Sequence, residues 1–238
     1  MSKNIKDVCF IIQARLSSER VPNKMLKPFA ETTLFEIAIQ KIIKSKLIPN
    51  SQFYVSIYEQ ELIDIARNYP VNIFHRSKQS ATIDTDIKTM FEWREILPYK
   101  YVVLISACNP LLTIETINSF VDGYLFNDYS GLFSVIEKKN YFWNESGEMI
   151  NKWPLGQDLL NTKAVGYTYE AGHCLYGSSM EGDWVGNWHE LNNPKLFKVS
   201  EFESMDIDYS WQFDMLESYY EKYYKNKENY HEETNSIH

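Results

Sequence analysis

The chain alternates, over its first 136 residues, between short apolar runs and segments with helical periodicity, and this alternation limits the fold more than any other feature. The apolar runs have the length of buried strands and lie at 8–12, 53–57, 71–74, 101–105 and 131–136. Amphipathic segments separate them, at 33–44, at 61–69, at 87–96 and after Thr113, a candidate N-cap. Strands that alternate with helices through short loops predict a mostly parallel, doubly wound α/β sheet.

The pattern changes after about residue 137. A turn signature at 145–147 lies between apolar pairs and predicts a hairpin, and 171–176 has strand character. We interpret about 137–193 as a β-rich excursion from the sheet, for substrate binding and dimerisation, within a single domain of residues 1–225. Later segments are predicted as strands at 197–199 and 204–207, a helix at 211–225 with Phe213, Leu216, Tyr220 and Tyr223 inward, and a polar tail at 226–238.

Composition excludes several classes of protein. A chain of 238 residues with 44% hydrophobic residues has enough apolar surface for a large core. A net charge of −8 argues against nucleic acid as a partner. No segment approaches the roughly 20 apolar residues of a membrane span, and the first residues lack a signal-peptide pattern. With three widely spaced cysteines, a reduced cytoplasmic location is the expectation.

The loop after the first predicted strand concentrates positive charge in an otherwise acidic chain. Arg15, Arg20 and Lys24 lie there with the hydroxyls of Ser17 and Ser18. Ligands of open α/β sheets bind at the carboxyl ends of the strands, and Arg and Lys bind phosphate oxygens. The loop therefore predicts a phosphate site, with a solvated charged loop as the alternative.

The motif A-R-x-x-S-x-R-x-P-x-K in this loop resembles the opening motif of the CMP-sugar synthetases, namely the acylneuraminate, 3-deoxy-manno-octulosonate and spore-coat-polysaccharide cytidylyltransferases. Asn23 stands where the family has a glycine. The resemblance implies CTP as substrate and a fold like that of nucleotide-diphospho-sugar transferases. It implies catalytic roles for Arg15 and Lys24. Nucleotide-binding roles fall on Ala14, Arg15, Leu16, Ser17, Ser18, Arg20 and Lys24, with Arg76 and Ser106 at two later strand ends.

Asp206 and Asp208 form a D-x-D pair at the end of the strand predicted over 204–207. Alternate residues of a strand share a face, so the two carboxylates suit Mg²⁺ together with substrate phosphates. The pair also resembles the metal-binding segment of the same family. The alternative for Asp208 is a helix N-cap.

Acceptor-binding residues are implied by weaker similarity. Gln157, Tyr169 and His173 lie in segments that resemble the sugar-acid pocket of the family, and Asn109 follows the strand at 101–105. A structural histidine and a turn-forming asparagine are the alternatives.

Together these features predict a homodimeric, Mg²⁺-dependent cytidylyltransferase that transfers CMP from CTP to an acidic sugar for surface polysaccharide synthesis. A glycosyltransferase that uses Asp206 and Asp208 as its metal motif is an alternative, and so is a catalytically silent nucleotide-binding protein.

Overall fold

The computed structural model describes residues 2–82, 86–151, 162, 165–180 and 195–224. The strands within these ranges are β1 Val8–Gln13, β2 Pro28–Phe29, β3 Thr32–Thr33, β4 Phe53–Ile57, β5 Asn72–His75, β6 Tyr101–Ser106, β7 Gly131–Lys138, β8 Thr168–Ser179 and β9 Lys195–Val199. The α-helices are α1 Leu34–Lys44, α2 Gln60–Ala66, α3 Lys78–Thr82, α4 Ile87–Met90, α5 Trp93–Ile96, α6 Ile114–Leu125 and α7 Ser210–Tyr223.

In the described part of the chain, seven strands form one sheet in the order β5-β4-β1-β6-β8-β7-β9. The pairs β5-β4, β4-β1, β1-β6 and β7-β9 are parallel, and β8 is antiparallel to both of its neighbours. β2 and β3 form a separate small hairpin. The mostly parallel sheet predicted from the alternation is confirmed.

Both faces of the sheet are covered, as expected for a doubly wound sheet. Along β1, Val8, Phe10 and Ile12 face the larger core, which also contains the apolar sides of α1, α2, α6 and α7. Cys9 and Ile11 face the opposite side, where Trp93 of α5 is fully buried. The continuous apolar sequence of β1 therefore follows from burial on two faces.

The caps of the two longest central helices agree with the sequence. The Thr33 hydroxyl accepts a hydrogen bond from the backbone N–H of Glu36 at 3.2 Å, and the Thr113 hydroxyl accepts one from Thr116 at 3.2 Å. The face predicted for α6 is buried, including Phe120 and Tyr124 at 0% exposure. These helices lie against the sheet as predicted.

The helix predicted over 87–96 is two short helices, α4 and α5. Phe91 and Trp93 are both buried against the same side of the sheet, with ring centroids 5.4 Å apart. Residues two apart on a continuous helix point in nearly opposite directions. The chain therefore breaks between α4 and α5 so that both aromatic rings reach the core.

The strand predicted over 204–207 is wrong. Residues 201–204 form a turn, held by the backbone hydrogen bond from Ser204 N–H to the Ser200 carbonyl at 3.2 Å, and 205–208 have no regular secondary structure and are not paired in the sheet. We call residues 200–209 the pre-α7 segment. Its position is fixed by Ile207 N–H, which donates to the Cys108 carbonyl at 3.3 Å.

Other expectations vary in outcome. The hairpin at 141–150 is confirmed by an antiparallel bridge between Trp143 and Met149. Phe213 and Leu216 of α7 are buried, but Tyr223 is 43% exposed, so its predicted inward position is wrong. The tail at 226–238 lies outside the described residues, and the single domain over 1–225 stays a prediction.

Among the helices that the structure describes, none is long and apolar enough to cross a membrane.

Candidate active site

A cleft of about 730 Å³ opens at the carboxyl ends of β1 and β6. One wall is the β1–β2 loop, residues 14–27, and the floor is the end of β6 with residues 106–108. The pre-α7 segment and β8 complete the walls. Among the residues predicted for the site, those lining the cleft are Ala14, Arg15, Ser17, Ser18, Arg20, Lys24, Arg76, Ser106, His173, Asp206 and Asp208.

The β1–β2 loop is held by its apolar residues, which leaves its cations in the cleft. Val21 and Met25 are 3% and 2% exposed and join the larger core. Asn23 has φ of 54°, a left-handed conformation that glycine or asparagine adopts at low cost. This explains how asparagine replaces the family glycine. Lys24 N–H donates to the Val21 carbonyl at 3.2 Å, which closes the turn beneath the Lys24 side chain.

The start of this loop is fixed from outside it. Leu16 N–H donates to Glu59 Oε1 at 2.8 Å, and Ser17 Oγ donates to the Ala81 carbonyl at 3.2 Å. Leu16 does not line the cleft and packs against the core. Glu59, which has no sequence-based prediction, thus positions a loop that it does not belong to.

Lys24 lies at the centre of the charged part of the cleft. Its Nζ donates to the Ile207 carbonyl at 2.7 Å and is 3.8 Å from Asp206 Oδ1. Burial acts to lower the pKa of Lys24, but Cys108 and Asp206 more than offset it and raise the pKa above its ordinary value. Lys24 is therefore a firmly charged, partly desolvated cation.

The two aspartates each face a cation of the β1–β2 loop. Asp208 Oδ1 is 2.7 Å from Arg20 Nη2, and Asp206 faces Lys24. The Asp208 carboxylate does not cap α7, because Tyr209 holds the N-cap position and Gln212 Oε1 accepts from the N–H of Asp208 and of Tyr209, both at 2.8 Å. The carboxylates of Asp206 and Asp208 are therefore brought into the cleft by a loop, and not by the alternation of side chains along a strand.

The donor chemistry of this pair fits Mg²⁺. Asp206 Oδ1 is buried and has no hydrogen-bond partner among the described residues. Burial raises the pKa of Asp206, and Lys24 offsets part of this rise. The described residues contain no group of three or more His, Cys, Asp or Glu side chains that suits a metal ion. Magnesium commonly binds through one or two carboxylates and completes its shell with water and substrate phosphate oxygens.

Arg76 lies under the β1–β2 loop and is 3% exposed. Its Nε donates to Ser80 Oγ at 3.1 Å, and its Nη1 is 3.5 Å from the Ala14 carbonyl. Burial, together with the nearby charge of Arg15, lowers the pKa of Arg76 to about 10. Arg76 thus adds positive charge beneath Ala14 and ties the loop to residues 76–80.

The residues after β6 divide between the cleft and the interior. Ser106 Oγ accepts from Cys108 N–H at 3.1 Å and lines the cleft. Asn109 is buried away from the cleft, and its Nδ2 donates to the Ser204 carbonyl at 2.8 Å. Asn109 therefore joins this loop to the pre-α7 segment and lies outside the cleft, in contrast to its predicted acceptor-binding position.

The remaining predicted acceptor residues separate in the same way. His173 is exposed in the cleft, with its Nδ1 2.6 Å from the Tyr176 hydroxyl. Tyr169 is 40% exposed outside the cleft, and its hydroxyl donates to Glu137 Oε2 at 3.3 Å. Gln157 lies outside the described residues.

Several cleft residues lack a sequence-based prediction. Cys108 lines the cleft with Lys24 and Asp206, and burial, with Asp206 adding to it, raises the pKa of Cys108 to about 12. Gln13 accepts from Trp93 Nε1 at 2.9 Å at the end of β1. Cys108 had a usable signal, because it comes three residues after the parallel strand predicted at 101–105. Tyr176 belongs to the segment at 168–176 that resembles the sugar-acid pocket of the family, but its own position depends on how β8 pairs.

The arrangement suits a polyphosphate. Four cations, Arg15, Arg20, Lys24 and Arg76, line one cleft with two aspartates that match a divalent ion. Fixed cations of this kind stabilise charge on transferring phosphoryl groups and on a pyrophosphate as it leaves.

Comparisons with known proteins agree with this chemistry. A family model described as cytidylyltransferase matches residues 9–169. An uncharacterized protein of Methanocaldococcus jannaschii is 25% identical over 191 residues, covering 79% of this chain and 69% of that protein. The spore coat polysaccharide biosynthesis protein SpsF of Bacillus subtilis is 20% identical over 224 residues, covering 92% and 88%.

Solved structures share the fold. A CMP:2-keto-3-deoxy-manno-octonic acid synthetase complexed with CTP superposes with a TM-score of 0.64 and 9% identity, covering 89% of this chain and 97% of that one. The 4-diphosphocytidyl-2C-methyl-D-erythritol synthase of Anaerococcus prevotii gives a TM-score of 0.61 at 13% identity, covering 89% and 95%. The fold is that of the nucleotide-diphospho-sugar transferases. Because the family match covers more than half of the chain, the protein belongs to the cytidylyltransferase family and is a CTP-dependent nucleotidyltransferase.

Proposed function

We propose that this enzyme transfers CMP from CTP to an acidic sugar, with release of pyrophosphate, in the synthesis of a surface polysaccharide. The proposal rests on one observation, that the β1–β2 loop and the pre-α7 segment face each other across the cleft. Arg20 and Lys24 of the β1–β2 loop lie opposite Asp208 and Asp206 of the pre-α7 segment, at 2.7 and 3.8 Å. A phosphate chain bound between these loops meets both its cations and its metal ligands.

Arg15, Arg20 and Arg76 bind the triphosphate, and Lys24 acts on the leaving group. Arg76 is anchored beneath Ala14, so it supplies charge without needing to be ordered by the nucleotide. Lys24 is already fixed by the Ile207 carbonyl, so its charge is in place as the pyrophosphate departs. Preorganised cations lower the barrier because they need no reorganisation during the reaction.

Asp206 and Asp208 would hold the Mg²⁺ that cytidyl transfer requires, where it would neutralise phosphate charge and position the α-phosphate. In this proposal the nucleotide redirects both side chains. The phosphates replace Asp208 as the partner of Arg20, and Asp206, whose Oδ1 has no hydrogen-bond partner among the described residues, would be a ligand of the ion.

The acceptor is proposed from the relatives. SpsF takes part in spore coat polysaccharide biosynthesis, and the octonic acid synthetase acts on a 2-keto-3-deoxy sugar acid. From these two relatives we infer that the acceptor of this enzyme is an acidic sugar of the 2-keto-3-deoxy class. The homodimer and the cytoplasmic location belong to the same proposal.

A pyrophosphate-release screen tests the proposal. CTP, UTP, ATP and GTP are each incubated with Mg²⁺ and with 3-deoxy-manno-octulosonate, N-acetylneuraminate or neutral sugars as controls. We expect release that requires CTP, Mg²⁺ and one of the acids together. Release with UTP and a neutral sugar, but not with CTP and an acid, would contradict the proposal.

A further inference from the structure

A bulge in β8 brings a histidine into the cleft, on the side opposite the β1–β2 loop. Phe133 of β7 pairs with Tyr176 of β8, but Val135 pairs with Ala171, so two steps along β7 correspond to five along β8. The residues between, 172–175, leave the ladder that β8 forms with β7. Bulges of this kind redirect side chains and are common beside active sites.

The bulge is stabilised by specific contacts. The Ser134 hydroxyl accepts hydrogen bonds from the N–H groups of Cys174 at 3.2 Å and Leu175 at 3.1 Å. A Cβ atom on Gly172 would lie 3.2 Å from the Ser134 carbonyl and from Val199, so glycine permits this close approach. Two backbone donors that the bulge removes from the ladder are thus satisfied by one side chain.

The residue at the crest is under backbone strain. His173 has φ of 52°, a left-handed conformation that costs a non-glycine residue free energy. Its side chain is exposed in the cleft rather than packed in the core. A costly conformation that brings a proton-exchanging side chain to the cleft points to a role in the reaction.

Strand pairing fixes where His173 lies relative to the other groups. Leu104 and Ile105 of β6 pair with Tyr176 and Leu175 of β8, so the bulge follows directly at the end of β6 where Ser106 lines the cleft. The Tyr176 hydroxyl binds His173 Nδ1, and burial, then Cys174 and Asp206, raise the pKa of Tyr176. Tyr176 lines the cleft together with Asp206 and holds the imidazole of His173 beside it.

We propose that His173 is a catalytic residue that accepts the proton from the attacking hydroxyl of the acceptor, and this inference rests on the proposed cytidyl transfer. The acceptor oxygen forms a bond to the α-phosphorus as its proton moves to His173 Nε2. The bond from the α-phosphorus to the bridging oxygen breaks, and its electron pair leaves with pyrophosphate. The imidazolium returns its proton to solvent after product release. Positioned bases typically contribute about 10²–10⁴ in rate.

The test compares His173→Gly and His173→Gln with Glu31→Gly as the matched control. Glu31 also has a positive φ, of 68°, but does not line the cleft. The assay measures pyrophosphate release with CTP and 3-deoxy-manno-octulosonate or N-acetylneuraminate, and the melting temperature. We expect His173→Gly to lose about 100-fold or more in kcat, with a KM for CTP within about twofold. Its melting temperature equals or exceeds that of the wild type, because glycine relieves the strain.

Two readouts separate proton transfer from a structural role. Added imidazole restores about tenfold of the activity of His173→Gly, and His173→Gln stays inactive because an amide cannot accept the proton. Glu31→Gly keeps wild-type kcat. Near-wild-type kcat in His173→Gly or His173→Gln overturns the inference, and so does a loss that imidazole leaves unchanged. If the wild-type enzyme releases no pyrophosphate with either acid, the proposed function fails first and this inference fails with it.

Discussion

Lys24 is the single residue on which the account of the leaving group depends. Lys24→Ala should lower kcat/KM about 100-fold, because one preorganised charge is lost where the pyrophosphate departs. The cost in stability should be about 1 kcal/mol, the value of one hydrogen bond to the Ile207 carbonyl. Steady-state kinetics and urea unfolding measure the two effects.

Lys27 provides the matched control for that experiment. It lies in the same loop, pairs with Asp214 at 4.0 Å and does not line the cleft. Lys27→Ala should leave kcat/KM unchanged. Equal losses in the two variants would show that the loop contributes only diffuse positive charge.

The aspartates give a second prediction at this scale. Asp206→Asn and Asp208→Asn should each lose most Mg²⁺-dependent turnover, because a neutral amide is a weaker ligand for a hard cation. High Mg²⁺ should restore part of the activity. The exposed Asp214→Asn serves as control, and full activity of Asp208→Asn at low Mg²⁺ would leave Asp206 as the only ligand of the pair.

Lys41 makes stability depend on pH. Its Nζ donates to the carbonyls of Asn109 and Pro110 behind the cleft, and burial lowers its pKa from 10.5 to about 7. Between these values the unfolded chain binds more protons, so stability should rise with pH from 7 to 10, by about 3–4 kcal/mol. Below pH 7 Lys41 is protonated in both the folded and the unfolded state, so the folded state bears the full cost of burying this charge.

Urea unfolding across this pH range, with Lys41→Met as reference, isolates the effect. The difference between the wild type and the variant should shift in favour of the wild type as the pH rises. A difference that stays constant from pH 7 to 10 would mean that Lys41 titrates normally.

At the scale of the element, the bulge in β8 depends on one hydroxyl. Ser134→Ala leaves the buried N–H groups of Cys174 and Leu175 without their acceptor, so the free energy of unfolding should fall by about 2 kcal/mol. Ser56 is an equally buried strand serine whose hydroxyl has no partner among the described residues. Ser56→Ala should be neutral or stabilising, and equal destabilisation by both substitutions would contradict this account of the bulge.

The elements differ in how far the sequence could predict them. The strand at 53–57 and the start of α6 are recognised from local patterns, because apolar runs and a capping threonine act within a few residues. The break between α4 and α5 and the unpaired pre-α7 segment could not be, since both depend on contacts with distant residues, such as Cys108 with Ile207. The β8 bulge depends in the same way on Ser134 and Val199.

For the whole molecule, the residues of the candidate site divide in the same way, into those that a local motif predicts and those that depend on tertiary contacts. The cations of the β1–β2 loop come from one contiguous motif, and the cleft contains Arg15, Arg20 and Lys24 as that motif suggests. Residues brought in by tertiary pairing were harder to place. Asn109 is turned to the interior by Ser204, Cys108 takes the position beside Lys24, and Tyr176 enters the cleft because β8 inserts between β6 and β7.

The most direct measurement of the central claim follows the phosphorus atoms of CTP by ³¹P NMR in the presence of enzyme, Mg²⁺ and a 2-keto-3-deoxy sugar acid. Transfer of CMP predicts that the α-phosphorus becomes a phosphodiester to the sugar while the β- and γ-phosphorus atoms appear together as pyrophosphate, in equal amounts. The same mixture with UTP, ATP or GTP should stay unchanged. Formation of CDP and inorganic phosphate, or no change in the CTP signals, would contradict the account.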